Sequence, residues 1–361
     1  MALHFPLTAN PAPATTEQRA AAMTDPGFGR VFGDHMAVAT WDQETGWHED
    51  GIVGYGPFPL DPAGAVLHYG QEVFEGLKAY RHEDGSVWLF RPEMNARRFS
   101  ASARRLGLPE LAEADFLTSV TELVRADQAW VPSGGEQSFY IRPFMFGTES
   151  FLGVRAAQTV QYAVIAGPVG PYFSSGVMPV DIWVTTQYSR AGAGGTGAAK
   201  CGGNYASSLL AQREADEHGC SQVLFTDAAS HTWLEELGGM NIFVVTADHR
   251  LLTPPVSGTI LDGVTRDSVL ALAPAFGLTP EVRPVALTEL VEQIGSGQVV
   301  EAFACGTAAV ITPIASLVRE GAEPVRLLQP VGEKAAALRA HLLDIQYGRA
   351  ADEHGWTRKV C

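Results

Sequence analysis

This sequence has few cysteines, no long hydrophobic run and a deficit of basic residues. Its four cysteines in 361 residues form no Cys-x-x-Cys pair, so their spacing predicts neither a disulfide framework nor a metal site. No stretch reaches the roughly 20 apolar residues that a membrane-spanning helix needs. The first residues lack the basic and apolar segments of a secretory signal. We therefore expect a cytoplasmic protein without a membrane anchor.

The balance of charge argues against nucleic acid as a partner. There are 25 Lys and Arg against 40 Asp and Glu, which gives a formal net charge of −15. No block of basic residues stands out, so we expect no binding of polyanions through a generally basic surface. The composition, 46% hydrophobic and 18% charged, is that of a globular protein. Because 361 residues exceed what one hydrophobic core usually serves, we expect two domains.

Strand and helix patterns alternate along both halves of the chain. Strands are predicted at His35–Trp41, Leu77–Arg81, Ser86–Phe90, Ser138–Phe146, Thr159–Ala166, Val180–Gln187, Gln222–Thr226, His231–Glu235, Asn241–Thr246 and Val299–Ala304. Helices are predicted from Pro92 to before Gly107, at Leu111–Trp130, after a cap at Asn204, at Thr265–Phe276, at Thr288–Ile294 and from Gly332. Hairpins are frequent, which favours a mixed α/β fold over a doubly wound parallel sheet.

The stretch 167–179 is the best linker, since it holds three prolines and three glycines in 13 residues. It places an N-terminal α/β domain at 1–170, a linker at 171–180 and a C-terminal domain at 181–361.

The most informative stretch is Gly192–Asn204, where six glycines and three alanines surround Lys200. An amine crowded out of water loses affinity for its proton, so Lys200 is a candidate Schiff-base lysine. A phosphate-binding loop is a weaker reading, because two alanines separate the glycine from the lysine and Cys201 replaces the hydroxyl residue. A flexible loop with a solvated lysine is the third reading.

An aldehyde cofactor on such a lysine needs a carboxylate at its ring nitrogen and donors for its phosphate. Glu235 and Glu236 lie between two strands, although such a pair is also common on a solvated strand edge. The amides of Val264 and Thr265 lie at a predicted helix N-terminus, where anions bind, although a Thr-capped helix explains the pattern as well. The turn 306–309 offers further amides or is a plain turn.

Taken together, the motifs resemble those of the branched-chain amino acid aminotransferases, which are pyridoxal-phosphate enzymes of fold type IV. The similarity extends from about Phe28 to Pro313. The motifs, in chain order, are HMAVATW, LHYGQEVFEGLKAYR, LFRPEMNARRF, FYIRPFMFGTE, GPVGPYF, GTGAAKCGGNYASS, EELGGMNIF, LDGVTR and CGTAAVITP. The resemblance implies a smaller N-terminal α/β domain and a larger C-terminal domain with antiparallel-rich sheets.

The resemblance also implies a cofactor site for pyridoxal 5′-phosphate. Lys200 forms the Schiff base and moves the proton, Glu236 pairs with the pyridine nitrogen, and Tyr205 contacts the phenolic oxygen. Arg98 binds the phosphate, for which a guanidinium fork is well suited. The remaining cofactor contacts fall on Gly263, Val264, Thr265 and Thr307.

The substrate pocket implied by the resemblance is mainly aromatic and lies on the first domain. Its lining residues are Phe28, Tyr69, Phe74, Tyr140 and Tyr172. Arg142 corresponds to the arginine that accommodates the second carboxylate of glutamate or 2-oxoglutarate. The α-carboxylate meets the amides of Thr307 and Ala308.

The implied activity is transamination of branched-chain L-amino acids with 2-oxoglutarate by a homodimer. Two other functions remain open: a nucleotide-hydrolysing or phosphate-binding protein, and a catalytically silent carrier of the cofactor. The sequence departs from some relatives in two ways. Ala309 and Thr312 replace a redox-sensitive Cys-x-x-Cys pair, and Gly239 replaces a threonine beside the cofactor.

Overall fold

The computed structural model describes residues 2–171 and 177–361 of the chain. Within them the α-helices are α1 (Thr16–Thr24), α2 (Ala65–Tyr69), α3 (Pro92–Arg105), α4 (Glu113–Ala126), α5 (Gly202–Ala206), α6 (Leu209–Glu217), α7 (Val264–Leu272), α8 (Leu287–Gly295) and α9 (Glu333–Gln346). The strands are β1 (His35–Asp42), β2 (Gly46–Gly54), β3 (Glu72–Phe74), β4 (Leu77–Arg81), β5 (Val87–Phe90), β6 (Ser138–Gly147), β7 (Thr159–Val169), β8 (Val180–Val184), β9 (Gln222–Thr226), β10 (Leu234–Leu237), β11 (Asn241–Thr246), β12 (Arg250–Thr253), β13 (Thr279–Val282), β14 (Val299–Gly306), β15 (Val310–Val318), β16 (Val325–Arg326) and β17 (Thr357–Lys359).

The chain divides into two compact units. The first comprises Met1–Ser174, Ala199–Gly202 and Asp344–Cys361, and the second comprises Ser175–Ala198 and Gly203–Leu343. The first unit is therefore the larger one, whereas the sequence predicts the larger domain to be C-terminal. The reason is that the end of the chain returns to the first unit, where β17 pairs with β5.

The first unit is built on an eight-stranded sheet in the order β17-β5-β4-β6-β7-β1-β2, with β3 paired to β6. Among the described residues, the strand pairs of this sheet are all antiparallel. Helix α3 begins with Pro92, whose fixed φ suits a first helical turn. Its residues Asn95, Phe99 and Ser102 are buried at helical spacing. Phe99 packs against Phe116 of α4 and forms part of the hydrophobic core.

The second unit is built on a nine-stranded sheet in the order β10-β9-β8-β15-β14-β11-β12-β13, with β16 paired to β15. Most pairs are antiparallel, but β8 runs parallel to both β9 and β15, and β12 runs parallel to β13. Both units therefore combine antiparallel-rich sheets with helices, and the predicted mixed α/β fold class is confirmed.

Two local differences from the predicted elements have clear causes. The sequence patterns do not predict β2, an edge strand in which only Gly51 and Ile52 are buried, so it lacks apolar alternation. Asn204 does not cap a helix but lies inside α5. Its Oδ1 accepts a hydrogen bond from Thr196 Oγ1 at 2.7 Å, and its Nδ2 donates to the Thr196 carbonyl at 2.8 Å.

None of the helices described is both long enough and apolar enough to cross a bilayer. Among residues 2–171 and 177–361, no three His, Cys, Asp or Glu side chains are arranged to hold a metal ion.

Candidate active site

The Lys200 segment is attached to the first unit by its own backbone. The Lys200 amide donates to Ser102 Oγ on α3 at 2.9 Å, and its carbonyl accepts from the Phe74 amide at 2.9 Å. The neighbouring Ala199 and Cys201 are buried in the core of this unit. The small residues predicted to bring backbones together therefore pack Lys200 against α3 and β3.

The Lys200 amine lies in a partly buried, charged environment. Its Nζ lies 4.7 Å from the centre of the Phe74 ring. Burial and the nearby Arg98 cation lower the pKa of Lys200 from 10.5 to about 8, although the Glu75 carboxylate opposes the shift. At pH 7.5 about a quarter of such amines are neutral, against about a thousandth for an ordinary lysine. This is the nucleophilic amine expected of a Schiff-base lysine.

Arg98 is held by a buried carboxylate that the sequence analysis does not include, Glu75. Arg98 Nε and Nη2 donate to the two Glu75 oxygens at 2.6 and 2.8 Å, and Asn95 Nδ2 donates to Glu75 Oε2 at 2.7 Å. Burial favours the neutral acid, but Arg98 outweighs it, so the pKa of Glu75 lies below its usual value. The pair fixes the guanidinium plane, and the role of Arg98 toward a phosphate stays a prediction.

Four of the predicted substrate residues contact one another. The Phe28 and Tyr140 rings meet edge to face, with centroids 4.9 Å apart. Arg142 Nη2 donates to the Tyr140 hydroxyl at 2.9 Å, and the Arg142 guanidinium lies 4.8 Å above the centre of the Phe74 ring. Phe74 in turn contacts Lys200. The first unit therefore brings an apolar aromatic surface, a cation and the reactive amine together.

Gly76 is a further contributor that sequence reasoning missed. A Cβ atom at this position would lie 2.3 Å from the Tyr140 hydroxyl oxygen, so only glycine permits the observed position of Tyr140. Glu75 and Gly76 both lie in the quoted FEGLKAY segment, and a charged residue beside a glycine within apolar strands is the signal that could have found them.

The two other predicted substrate tyrosines differ in status. Tyr69 ends α2, is 42% exposed and donates its hydroxyl to the Leu152 carbonyl. Tyr172 lies outside the described residues.

In the second unit, Glu236 is a buried carboxylate with several donors around it. Arg190 Nη2 lies 2.6 Å from Glu236 Oε1, the Leu261 amide donates to the same oxygen at 2.9 Å, and Asn241 Nδ2 donates to Oε2 at 3.1 Å. The alternative that Glu235 and Glu236 lie on a solvated strand edge is wrong, because the two residues are only 5% and 3% exposed. Arg190 was not predicted, because a buried ion pair 46 residues apart leaves no local pattern.

The N-terminus of α7 lies beside the same carboxylate. Asn241 Nδ2 also donates to the Leu261 carbonyl at 3.0 Å, and a Cβ on Gly263 would lie 2.0 Å from Asn241 Oδ1. Gly263 is the N-cap residue and makes no side-chain cap bond, so Thr265 is not a cap. Val264 and Thr265 form the first turn, where free amides favour an anion.

The remaining predicted residues also lie in this unit. Tyr205 belongs to α5, and its ring lies beside Gly239, since a Cβ there would be 3.7 Å from Tyr205 Cε1. Thr307 and Ala308 form the half-buried turn between β14 and β15. A Cβ atom at Gly239 would therefore make an ordinary van der Waals contact with the Tyr205 ring.

A comparison with protein families identifies the family of this chain. The model of the amino-transferase class IV family matches residues 72–317. The chain belongs to this family. The chain is 51% identical to the branched-chain-amino-acid aminotransferase of Mycobacterium tuberculosis (strain H37Rv), over 96% of both chains.

Solved branched-chain aminotransferases have a similar fold. The chain is 26% identical to the branched-chain aminotransferase of Thermoproteus uzoniensis, crystallised with norvaline, with a TM-score of 0.73 over 91% of this chain and 100% of that one. It is also 26% identical to the branched-chain amino acid aminotransferase of Escherichia coli, with a TM-score of 0.73 over 90% of this chain and 100% of that one. The predicted family is thereby confirmed.

Proposed function

We propose that this class IV aminotransferase catalyses the reversible transamination of leucine, isoleucine and valine with 2-oxoglutarate, giving branched-chain 2-oxo acids and L-glutamate. The names of its relatives support this reaction. The observation that carries the proposal is the Lys200 amine, whose pKa is lowered to about 8 next to an aromatic surface that also bears Arg142.

The residues fit pyridoxal 5′-phosphate, the cofactor of this family. An aldehyde needs an amine with a sizeable neutral fraction, which Lys200 has. A ring nitrogen needs a buried acceptor, which Glu236 offers. A phosphate needs convergent amides, which the first turn of α7 at Gly263, Val264 and Thr265 offers. When bound, the cofactor supplies an electron sink for the bond broken at the substrate α-carbon.

The residues would then divide the work as follows. Lys200 Nζ accepts the proton from the substrate α-carbon and returns it, which its pKa permits near neutral pH. Glu236 would accept a hydrogen bond from the ring nitrogen, and Tyr205 would donate to the phenolic oxygen. Arg98 and the Thr307 hydroxyl would hold the phosphate, and the amides of Thr307 and Ala308 would bind the substrate carboxylate.

The aromatic cluster has to accept two kinds of side chain. Phe28, Phe74 and Tyr140 offer apolar faces for a branched aliphatic group. Arg142 with the Tyr140 hydroxyl offers charge and a donor for the second carboxylate of glutamate. Tyr69 and Tyr172 complete the predicted lining. We further propose a homodimer in the cytoplasm, which light scattering and fractionation would test.

The test is a panel of amino donors with 2-oxoglutarate, read as kcat/KM for glutamate formation. Leucine, isoleucine and valine should exceed alanine, aspartate and D-alanine by at least tenfold. Lys200→Ala should abolish turnover, while Lys359→Ala, on the exposed end of the chain, should not change it. ATP hydrolysis, D-alanine as the best donor, or unchanged activity in Lys200→Ala would refute the proposal.

A further inference from the structure

A second carboxylate, Glu72, lies on the same face of the first unit's sheet as the aromatic cluster. Strand β3 pairs with β6 so that Glu72 is opposite Phe146 and Phe74 is opposite Phe144. Directly opposed residues of an antiparallel pair share one face, and so do residues two apart on a strand. Glu72 and Phe74 therefore share a face with Arg142, which lies over the Phe74 ring. Glu72 has no task in the proposed reaction.

The Glu72 side chain is held against the segment that carries Lys200. The Gly202 amide donates a hydrogen bond to Glu72 Oε1, and two residues earlier the Lys200 carbonyl accepts one from the Phe74 amide. Both bonds lie within the first unit, since Ala199–Gly202 belongs to it. The Glu72 residue is half-buried. Its carboxylate is therefore fixed beside the lysine segment instead of turning freely in solvent.

Glu72 and Arg142 interact by charge while Arg142 is held by aromatic groups. Arg142 Nη2 donates to the Tyr140 hydroxyl at 2.9 Å, and the guanidinium lies 4.8 Å above the centre of the Phe74 ring. Burial raises the pKa of Glu72 above its usual value, whereas the Gly202 amide and the Arg142 cation lower it. The Glu72 charge therefore lies close enough to affect the potential at the guanidinium.

The two charges have opposite effects on a substrate that carries a second carboxylate. Arg142 attracts that carboxylate, and Glu72 repels it and reduces the positive potential around the arginine. A branched aliphatic side chain carries no charge, so it gains nothing from Arg142 and loses nothing to Glu72. With Arg142 alone the pocket would favour dicarboxylic substrates, and Glu72 offsets that preference.

We propose that Glu72 is a specificity-determining residue whose negative charge weakens binding of a second carboxylate at Arg142 and shifts selectivity toward branched aliphatic amino acids. The inference rests on the proposed function, in which one pocket accepts both kinds of substrate. The hydrogen bond from the Gly202 amide places the carboxylate, and the charge of the carboxylate sets the selectivity.

The test is calorimetric titration of the holoenzyme with α-methylglutamate and α-methylleucine at pH 8, far above the ordinary pKa of a glutamate. Neither compound has an α-proton to lose, and both carry the same charged groups at the α-carbon. The ratio of their dissociation constants therefore reports the second carboxylate. Glu72→Gln keeps an acceptor for the Gly202 amide and removes the charge. It should lower the dissociation constant of α-methylglutamate at least threefold and leave that of α-methylleucine within twofold of the wild type.

Three further variants separate the charge from the hydrogen bond. Glu72→Asp keeps the charge and should keep the wild-type ratio within twofold. Glu72→Ala removes both the charge and the bond and should shift the ratio in the same direction as Glu72→Gln, so it replaces the glutamine variant if that one does not fold. Glu83→Gln, on the exposed turn between β4 and β5, makes the same change in net charge and should bind both compounds as the wild type does.

The outcomes distinguish this inference from the proposed function. A carboxylate that only holds Gly202 in place predicts wild-type binding of both compounds in Glu72→Gln, or an equal change in both dissociation constants, and either result overturns the inference. Weaker binding of α-methylglutamate in Glu72→Gln would also overturn it. A wild type that binds neither compound refutes the proposed function and the inference together, whereas a wild type that binds both, with a ratio that Glu72→Gln does not change, refutes the inference alone.

Discussion

The buried ion pair between Arg98 and Glu75 leads to the sharpest prediction. Glu75→Gln keeps the size and shape of the side chain but removes its charge. Glu75 is fully buried and the Arg98 side chain is 11% exposed, so the guanidinium would be left without its counter-charge in a place that water hardly reaches. Loss of one partner of a buried pair typically costs about 3–5 kcal/mol.

The same change has a second effect, on Lys200. The Glu75 charge raises the pKa of Lys200, while burial and Arg98 lower it to about 8. Removing the carboxylate charge therefore lowers the pKa of Lys200 further, below about 8. A purely structural role for Glu75 would not produce this directed shift.

A matched control lies on the same helix. Arg104 donates from Nε and Nη2 to the two Glu110 oxygens at 2.8 and 2.6 Å, which is the geometry of the buried pair. Here the two side chains are 70% and 42% exposed, and solvent screens such pairs. Glu110→Gln should therefore leave the denaturation midpoint and the pKa of Lys200 unchanged.

The assays use the protein without added cofactor, so that the Lys200 amine is free. Urea denaturation gives the free energy of unfolding, and the pH dependence of acetylation at Lys200, followed by mass spectrometry, gives its pKa. The reasoning is refuted if Glu75→Gln destabilises no more than Glu110→Gln, or if the pKa of Lys200 rises.

Three further predictions follow from the same cluster. The pKa of Lys200 is about 8 in the folded protein, against 10.5 for an ordinary lysine. Protonation of Lys200 therefore lowers the free energy of unfolding of the apoprotein as the pH falls from 10.5 to 8, and below pH 8 the loss is at most about 3 kcal/mol. Lys200→Met should therefore be more stable than the wild type at pH 7 by urea denaturation, with the difference vanishing as the pH rises to 10.5; a constant difference would contradict this. Gly76→Ala should displace the Tyr140 hydroxyl and thereby lower the free energy of unfolding by about 1–3 kcal/mol. It should also raise KM for 2-oxoglutarate, and unchanged kinetics would contradict this prediction. Arg142→Leu should reduce kcat/KM for glutamate at least tenfold more than for leucine, and an equal loss for both substrates would count against its role.

Much of the local structure follows from the sequence alone, because its signals are short in range. Pro92 and Gly107 bracket α3, and apolar spacing predicts α4, since these elements depend on neighbours within a turn or two. β2 and β17 have no such signal, because β2 mixes glycines and charged residues without alternation and β17 is entirely polar, so both become strands only by pairing with β1 and β5.

The same distinction between local signals and long-range contacts applies to the candidate site. The glycine-rich surroundings of Lys200 and the Glu-Glu pair were visible in the sequence, since a small-residue loop or a carboxylate in an apolar strand is unusual by itself. Only the tertiary structure decided which groups surround them. Glu75 contacts an arginine 23 residues away, and Glu236 contacts Arg190, 46 residues away. Burial sets the pKa of Lys200 and the strength of both ion pairs, and burial is a property of the folded chain.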